Sequence, residues 1–152
     1  MKLQNIFTAE STQESIDRLN NLKVGTVPEW GKMNAPQMLA HLNVAYDITY
    51  DKIDVKYNFF MKMILKMMVK STVVGNKPYK KNGQTAPVFV IDDERDFEKE
   101  KALLISNIKK TEELGTAHFE GKESPSFGKL TSKEWSNQFY KHMDHHFRQF
   151  GI

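Results

Sequence analysis

The chain contains no cysteine among its 152 residues. Disulfide bonds, zinc–thiolate sites and cysteine nucleophiles are therefore excluded, and no redox argument assigns a cellular compartment. The N-terminal stretch MKLQNIFTAES also lacks the apolar segment of a secretory signal peptide. This second absence favours a cytoplasmic location.

Sequence signatures of several common protein classes are missing as well. The phosphate-binding patterns GxGxxG and GxxxxGKS/T do not occur, and neither does the GxSxG turn of serine hydrolases. The formal net charge is only +3, from 22 basic and 19 acidic residues. So small a basic excess does not indicate a nucleic-acid partner.

No apolar run is long enough to predict a membrane span. The most apolar stretch, YNFFMKMILKMMVKSTVVG at residues 57–75, is interrupted by Lys62, Lys66 and Lys70. Their spacing of four places the lysines along one helical face. We favour a core helix with a lysine-lined solvent face over a basic amphipathic helix on a membrane surface. If its methionines are exposed, residues 59–68 form a natural docking face for a protein partner.

What the sequence does contain is helical periodicity. Thr8 and Asn34 are good N-caps, and Thr131 with Glu134 forms a capping box. Gly115 is a natural helix stop, and Val88–Val90 is the one stretch that favours an extended conformation. Helices are predicted near residues 8–21, 34–50, 58–70, 93–114 and from 131 onward. We therefore predict an all-α fold in a single domain, residues 1–152.

Three histidines lie close together near the C-terminus, in the run YKHMDHHFRQFGI at residues 140–152. His142 and His146 are about 40° apart on a helix, with Cβ atoms about 5–6 Å apart, close enough to bind one ion. His145 lies about 60° from His142, so it could replace His146 but not complete the set. His41 is the preferred third ligand, because its helix face is apolar and is predicted to point inward.

A second interpretation of these histidines remains open at this point. A histidine near a helix C-terminus is stabilised by the macrodipole, which alone accounts for a C-terminal cluster. A single histidine on an apolar face, such as His41, is commonly a hydrogen-bonded core residue. Spacing therefore supports a metal site without distinguishing it from a structural cluster.

Two stretches resemble a known group of proteins. EWGKMNAPQMLAHLNVAYD, residues 29–47, resembles the second-helix signature of the DinB-like superfamily, and FGKLTSKEWSNQFYKHMDHHFRQFGI, residues 127–152, resembles its last helix. The likeness is closest to an uncharacterised branch of that superfamily. It implies a four-helix bundle, here with an extra Met-rich helix between the second and third bundle helices.

The resemblance also implies a ligand set. DinB-like proteins bind a divalent metal through one histidine of the second helix and an H-x-x-x-H pair of the last helix, often with a trailing glutamine. Carried over, these are His41, His142 and His146, with Gln149 in the trailing place. One departure concerns Ser124, in SPSFG, where relatives often carry a histidine.

The implied activity is a metal-dependent transfer reaction on a small thiol. Characterised DinB-like proteins include transferases of bacillithiol or mycothiol, and many of the family form homodimers. Zinc or nickel is the favoured ion, with iron and manganese open. The alternative is a non-enzymatic helical bundle that binds metal or a protein partner. The sequence assigns no catalytic residue. Asp144 lies on the side of the last helix away from His142 and His146 and is expected to face solvent, and His118 lies in a predicted loop.

Overall fold

The computed structural model describes residues 3–152 and is all-α apart from one two-stranded hairpin, as predicted. Four long helices form the body, and a chain of short helical segments lies between the second and third of them. The elements are α1 (Ala9–Asn21), α2 (Ala35–Thr49), α3 (Phe59–Ile64), a π-helical turn (Leu65–Val69), α4 (Lys70–Val74), a 3₁₀ turn (Pro87–Phe89), α5 (Phe97–Phe119), β1 (Glu123–Ser124), β2 (Gly128–Lys129) and α6 (Ser132–Gln149). The Met-rich segment thus lies where the prediction placed it.

The starts of the helices are set by local side-chain caps. The side chain of Thr8 accepts from the backbone N–H of Ser11, and that of Asn34 accepts from Gln37. Thr131 and Glu134 form the predicted reciprocal capping box at the start of α6. Each cap satisfies backbone donors that an α-helix leaves unpaired, so these boundaries follow from short sequence motifs.

The long helices share one hydrophobic core, in which α2 packs against α5, α1 against α5, and α6 against both α2 and α5. Trp135 and Phe139 of α6 stack with ring centroids 5.9 Å apart, and Phe139 stacks on Tyr46 of α2 at 4.6 Å. All three side chains are almost fully buried. Burial of such large apolar surfaces is the main stabilising term and fixes how α6 lies against α2.

The Met-rich segment does not form the core helix that we favoured from the sequence. Leu65 and Val69 pack against the core, as do Val73 and Val74 at the end of the stretch, while the apolar side chains of residues 59–64, 67 and 68 are exposed. Hydrogen bonds from α6 also hold the end of α4. Asn137 Nδ2 donates to the carbonyl of Val74, and the buried Lys141 ammonium donates to the carbonyls of Thr72, Val73 and Gly75.

Other local predictions need correction. Val88 and Phe89 are not extended, since Pro87–Phe89 forms a 3₁₀ turn, and only Val90 of the predicted stretch has an extended backbone. The fourth predicted helix begins at Phe97 rather than near 93, because the side chain of Asp96 caps it. Gly115 does leave the helical conformation, with φ 67°, but one more helical turn follows to Phe119.

Within residues 3–152, no helix combines the length and hydropathy needed to cross a bilayer. The predicted domain, residues 1–152, includes Met1 and Lys2, which lie outside the described residues. Its treatment as a single domain stays a prediction.

Candidate metal centre

His41, His142 and His146 converge in the interior, although His41 and His142 are 101 positions apart in the chain. One ring nitrogen of each lies within 4.8 Å of the others. The ring centroids are 4.6 Å apart for His41 and His146, 4.8 Å for His41 and His142, and 5.1 Å for His142 and His146. Histidines that α2 and α6 contribute separately therefore form one cluster.

Two of the rings have their outer nitrogen fixed by an oxygen acceptor. His41 Nδ1 lies 2.7 Å from the carbonyl oxygen of Phe89, and His146 Nδ1 lies 2.7 Å from Gln149 Oε1. Both oxygens accept, so each Nδ1 donates a hydrogen, and in the neutral ring Nε2 carries a lone pair. A carbonyl or amide oxygen behind the ring is the usual partner of a metal-ligating histidine.

The inner nitrogens face one another. His142 Nε2 and His41 Nε2 are 2.8 Å apart. Two lone pairs at this distance repel, so without a cation one nitrogen must donate a hydrogen to the other. Because His41 Nδ1 already carries the hydrogen of that ring, the donor is His142 Nε2–H. If the hydrogen of His142 moved from Nε2 to Nδ1 of the same ring, all three neutral rings would present a nitrogen lone pair to a cation.

Burial keeps these imidazoles neutral. It lowers the pKa of His41, an effect that the hydrogen bond to Phe89 partly opposes. Burial and the neighbouring His41 lower the pKa of His146 to about 3, and the same two causes lower the pKa of His142 well below its ordinary value. Neutral imidazole is the form that binds a metal, so the cluster needs no deprotonation near neutral pH.

A cavity of about 580 Å³ opens beside the cluster and includes His41 and His146 in its wall. Much of the remaining wall comes from irregular segments, with Trp30 and Gly31 before α2 and Phe89 in the 3₁₀ turn. The volume lies within the range of small-molecule pockets. The histidine cluster is therefore reachable from a space large enough for a small ligand.

His145, which we predicted to be a neighbour outside the ligand set, also lines this cavity. Its ring meets Trp30 edge-on, with centroids 5.8 Å apart, and Tyr79 at the same distance. Lys81 Nζ lies 3.9 Å from the centre of the Trp30 ring. No sequence pattern indicated that Trp30, Phe89 and Tyr79 meet the histidines, because each lies in an irregular segment.

Gln149 connects the cluster to the loop before α2. Its Oε1 accepts from His146, and its Nε2 donates to the carbonyl of Trp30 at 2.6 Å. The close approach requires a glycine at position 31, where φ is +83° and a Cβ atom would lie 2.5 Å from Gln149 Nε2. Gln149 thus contacts His146, three residues before it in the chain.

Three other side chains that the sequence singled out lie away from the cluster. Asp144, which we expected to face solvent, is buried and forms ion pairs with Arg18 at 3.0 Å and Arg148 at 2.9 Å. That prediction was wrong because Arg18 of α1 reaches over this side of α6 and binds the carboxylate. His118 is exposed on the last turn of α5, and Ser124 is buried in β1.

The fold and the cluster define a helical protein with three inward-facing histidines that could hold a metal ion. The family model described as "Protein of unknown function (DUF1569)" matches residues 2–151, so the chain belongs to this family. No curated protein and no solved structure matches the chain. The likeness to the DinB-like superfamily therefore stays a prediction.

Proposed function

We propose that the protein binds one divalent metal ion through His41, His142 and His146. The observation that carries this proposal is the convergence of three neutral imidazoles, two of them oriented by an oxygen acceptor behind the ring. A cluster that served only the helix dipole would not bring in His41 from the middle of α2. Imidazole donors favour zinc or nickel, while iron and manganese remain open.

Metal content of the untagged protein tests the proposal, because a histidine tag would itself bind metal. We expect close to one equivalent of zinc or nickel after incubation and desalting, measured by plasma mass spectrometry. His41→Ala and His142→Ala should each reduce it to the level of a metal-free control. His118→Ala is the matched control, since His118 is exposed and outside the cluster. Wild-type protein that retains no metal would refute the proposal.

We further propose an enzymatic role, transfer of a small thiol to an electrophile, in line with the resemblance to DinB-like transferases. Three protein ligands leave coordination positions open, which is typical of catalytic rather than structural sites. A divalent cation held here would lower the pKa of a thiol that reaches it. The cavity beside the cluster provides the space, and Trp30, Phe89 and His145 provide the walls that would position a ligand.

The enzymatic role has its own test. Metal-loaded protein is assayed with bacillithiol or mycothiol and an aromatic electrophile, and thiol consumption is followed. Turnover that disappears in His142→Ala and persists in His118→Ala would support the transferase. Full metal occupancy without turnover on either thiol would refute this role and leave the non-enzymatic metal-binding bundle.

A further inference from the structure

The segment from Val55 to Ile91 differs in charge from the rest of the chain. It contains seven lysines and no arginine, aspartate or glutamate. The remaining residues carry 15 basic and 19 acidic side chains, so the excess of positive charge lies entirely in this segment. The segment includes α3, the π-helical turn and α4.

Exposed apolar side chains recur along the same helical segment. They come in pairs spaced by four residues: Phe59 and Phe60, Met63 and Ile64, and Met67 and Met68. Because residues four apart lie on one face of a helix, these pairs form a continuous ridge. The exposed fraction reaches 77% for Phe59 and 75% for Met67, so the ridge points away from the body.

The lysines run beside this ridge, also at a spacing of four. Lys62 and Lys66 are exposed and form no ion pair within residues 3–152, whereas Lys70 bonds to Glu134 at 2.8 Å. Lysine has a long apolar stem, so its ammonium can reach a negative charge while the stem lies along an apolar surface. The ridge and these two lysines can therefore contact one surface at the same time.

The opposite side of the segment holds it on the body. Leu65 and Val69 pack against the core, and the donors of Asn137 and Lys141 bind the carbonyls at the end of α4. The ridge is therefore fixed outward rather than free to fold back. Because its side chains project into solvent, the ridge suits a surface into which apolar side chains can insert.

From these features we propose that the face formed by residues 59–68 binds the surface of a membrane containing anionic phospholipids. The phenylalanines and methionines insert at the level of the headgroups, and Lys62 and Lys66 contact lipid phosphates. This combination of an apolar face and adjacent lysines is that of an interfacial helix, which lies on a bilayer and does not cross it. Basic residues near an anionic surface add to such binding.

The test is co-sedimentation of the untagged protein with vesicles. Vesicles of phosphatidylcholine alone are compared with vesicles of equal parts phosphatidylcholine and phosphatidylglycerol, at low and at high sodium chloride. We expect binding to the anionic vesicles only, weakened by salt because the charges are screened. Absence of binding to anionic vesicles at low salt would overturn the proposal.

Two variants separate the contributions of charge and apolar surface. Each lysine near an anionic membrane contributes about fivefold to the partition coefficient, so Lys62→Gln/Lys66→Gln should bind about 30-fold more weakly. Lys99→Gln/Lys109→Gln removes the same charge from exposed positions on α5 and should bind like the wild type. If both double variants lose vesicle binding equally, the attraction is a non-specific effect of net charge, and the assignment to this face is overturned.

Phe59→Ser/Phe60→Ser removes the start of the ridge and should also abolish sedimentation, with unchanged circular dichroism as the check on folding. Phe59→Trp reports insertion directly, since brominated phospholipids should quench its added fluorescence. An absence of that quenching would contradict insertion. If the wild type is a dimer that ignores vesicles, and Phe59→Ser/Phe60→Ser makes it monomeric, the face joins two copies of the chain and the proposal is wrong.

Discussion

Replacement of Gln149 by leucine should weaken metal binding without removing any proposed ligand. The side chain is 4% exposed, and it accepts a hydrogen bond from His146 Nδ1 at 2.7 Å. Loss of such an outer partner typically lowers metal affinity by about 10- to 100-fold, because ring orientation is no longer fixed. We therefore expect the dissociation constant for zinc to rise by about that factor in Gln149→Leu.

The same substitution should also lower stability. Leucine cannot donate to the carbonyl of Trp30, which Gln149 Nε2 reaches at 2.6 Å. Two hydrogen bonds at about 1 kcal/mol each are lost, and polar atoms remain unpaired at a partly buried site. The free energy of unfolding of the metal-free protein should fall by about 2 kcal/mol, measured by urea denaturation.

Gln149→Glu distinguishes the two roles of this residue. A carboxylate still accepts from His146 Nδ1, but it cannot donate to the carbonyl of Trp30. We expect zinc affinity at or above that of the wild type, together with a loss of stability similar to that of Gln149→Leu. Gln13→Leu is the control, since Gln13 is exposed on α1 and its side chain donates to Asp17 at 2.8 Å.

The assay is competition for zinc against a chromophoric chelator at fixed pH, on protein freed of metal. If Gln149→Leu binds zinc with wild-type affinity and only its stability is reduced, Gln149 does not orient His146. Its role would then be limited to the hydrogen bond that holds the loop at Trp30. Equal weakening in Gln149→Leu and Gln149→Glu would refute the proposal that the acceptor oxygen is what matters.

Three further predictions concern α6 and its neighbours. Asp144→Ala removes the partner of Arg18 and should lower the free energy of unfolding by about 3 kcal/mol in denaturant titrations; a loss below about 1 kcal/mol would show that the pair is effectively solvated. Burial lowers the pKa of Lys141 from 10.5 to about 8. Between these two pH values the unfolded chain therefore binds more protons than the folded protein. Stability should therefore rise with pH above about 8, by up to about 1.4 kcal/mol per unit, and this slope should be absent in Lys141→Met. His145→Ala should leave metal content at the wild-type level, since the three proposed ligands are unchanged; loss of metal from His145→Ala would place His145 among the ligands.

Much of the secondary structure was predictable because it depends on neighbouring residues. The caps at Thr8, Asn34 and Thr131 act over three positions, and the helices they start were found with nearly correct bounds. The helix break at Gly115 was found for the same reason, although one further turn follows it. Phe97 was missed as the start of α5 because three aspartates, Asp92, Asp93 and Asp96, precede it and each could have capped the helix.

The candidate site was only partly predictable. The i, i+4 pair of His142 and His146 follows from helix geometry, and the inward face of His41 follows from its apolar neighbours. The walls of the cavity did not follow, because Trp30 and Phe89 lie in loops whose course depends on what they pack against. The burial of Asp144 depended on α1, which no pattern within α6 could indicate.

The sequence by itself determined where helices begin and which histidines share a face, since hydrogen bonding and periodicity act within a few residues. The tertiary structure decided that His41 meets His142 across 101 positions, that loops enclose a cavity beside them, and that the Met-rich segment turns its apolar side outward. These outcomes depend on how the four long helices share a single core. Packing of that kind is set by surfaces distant in the chain, which no local pattern encodes.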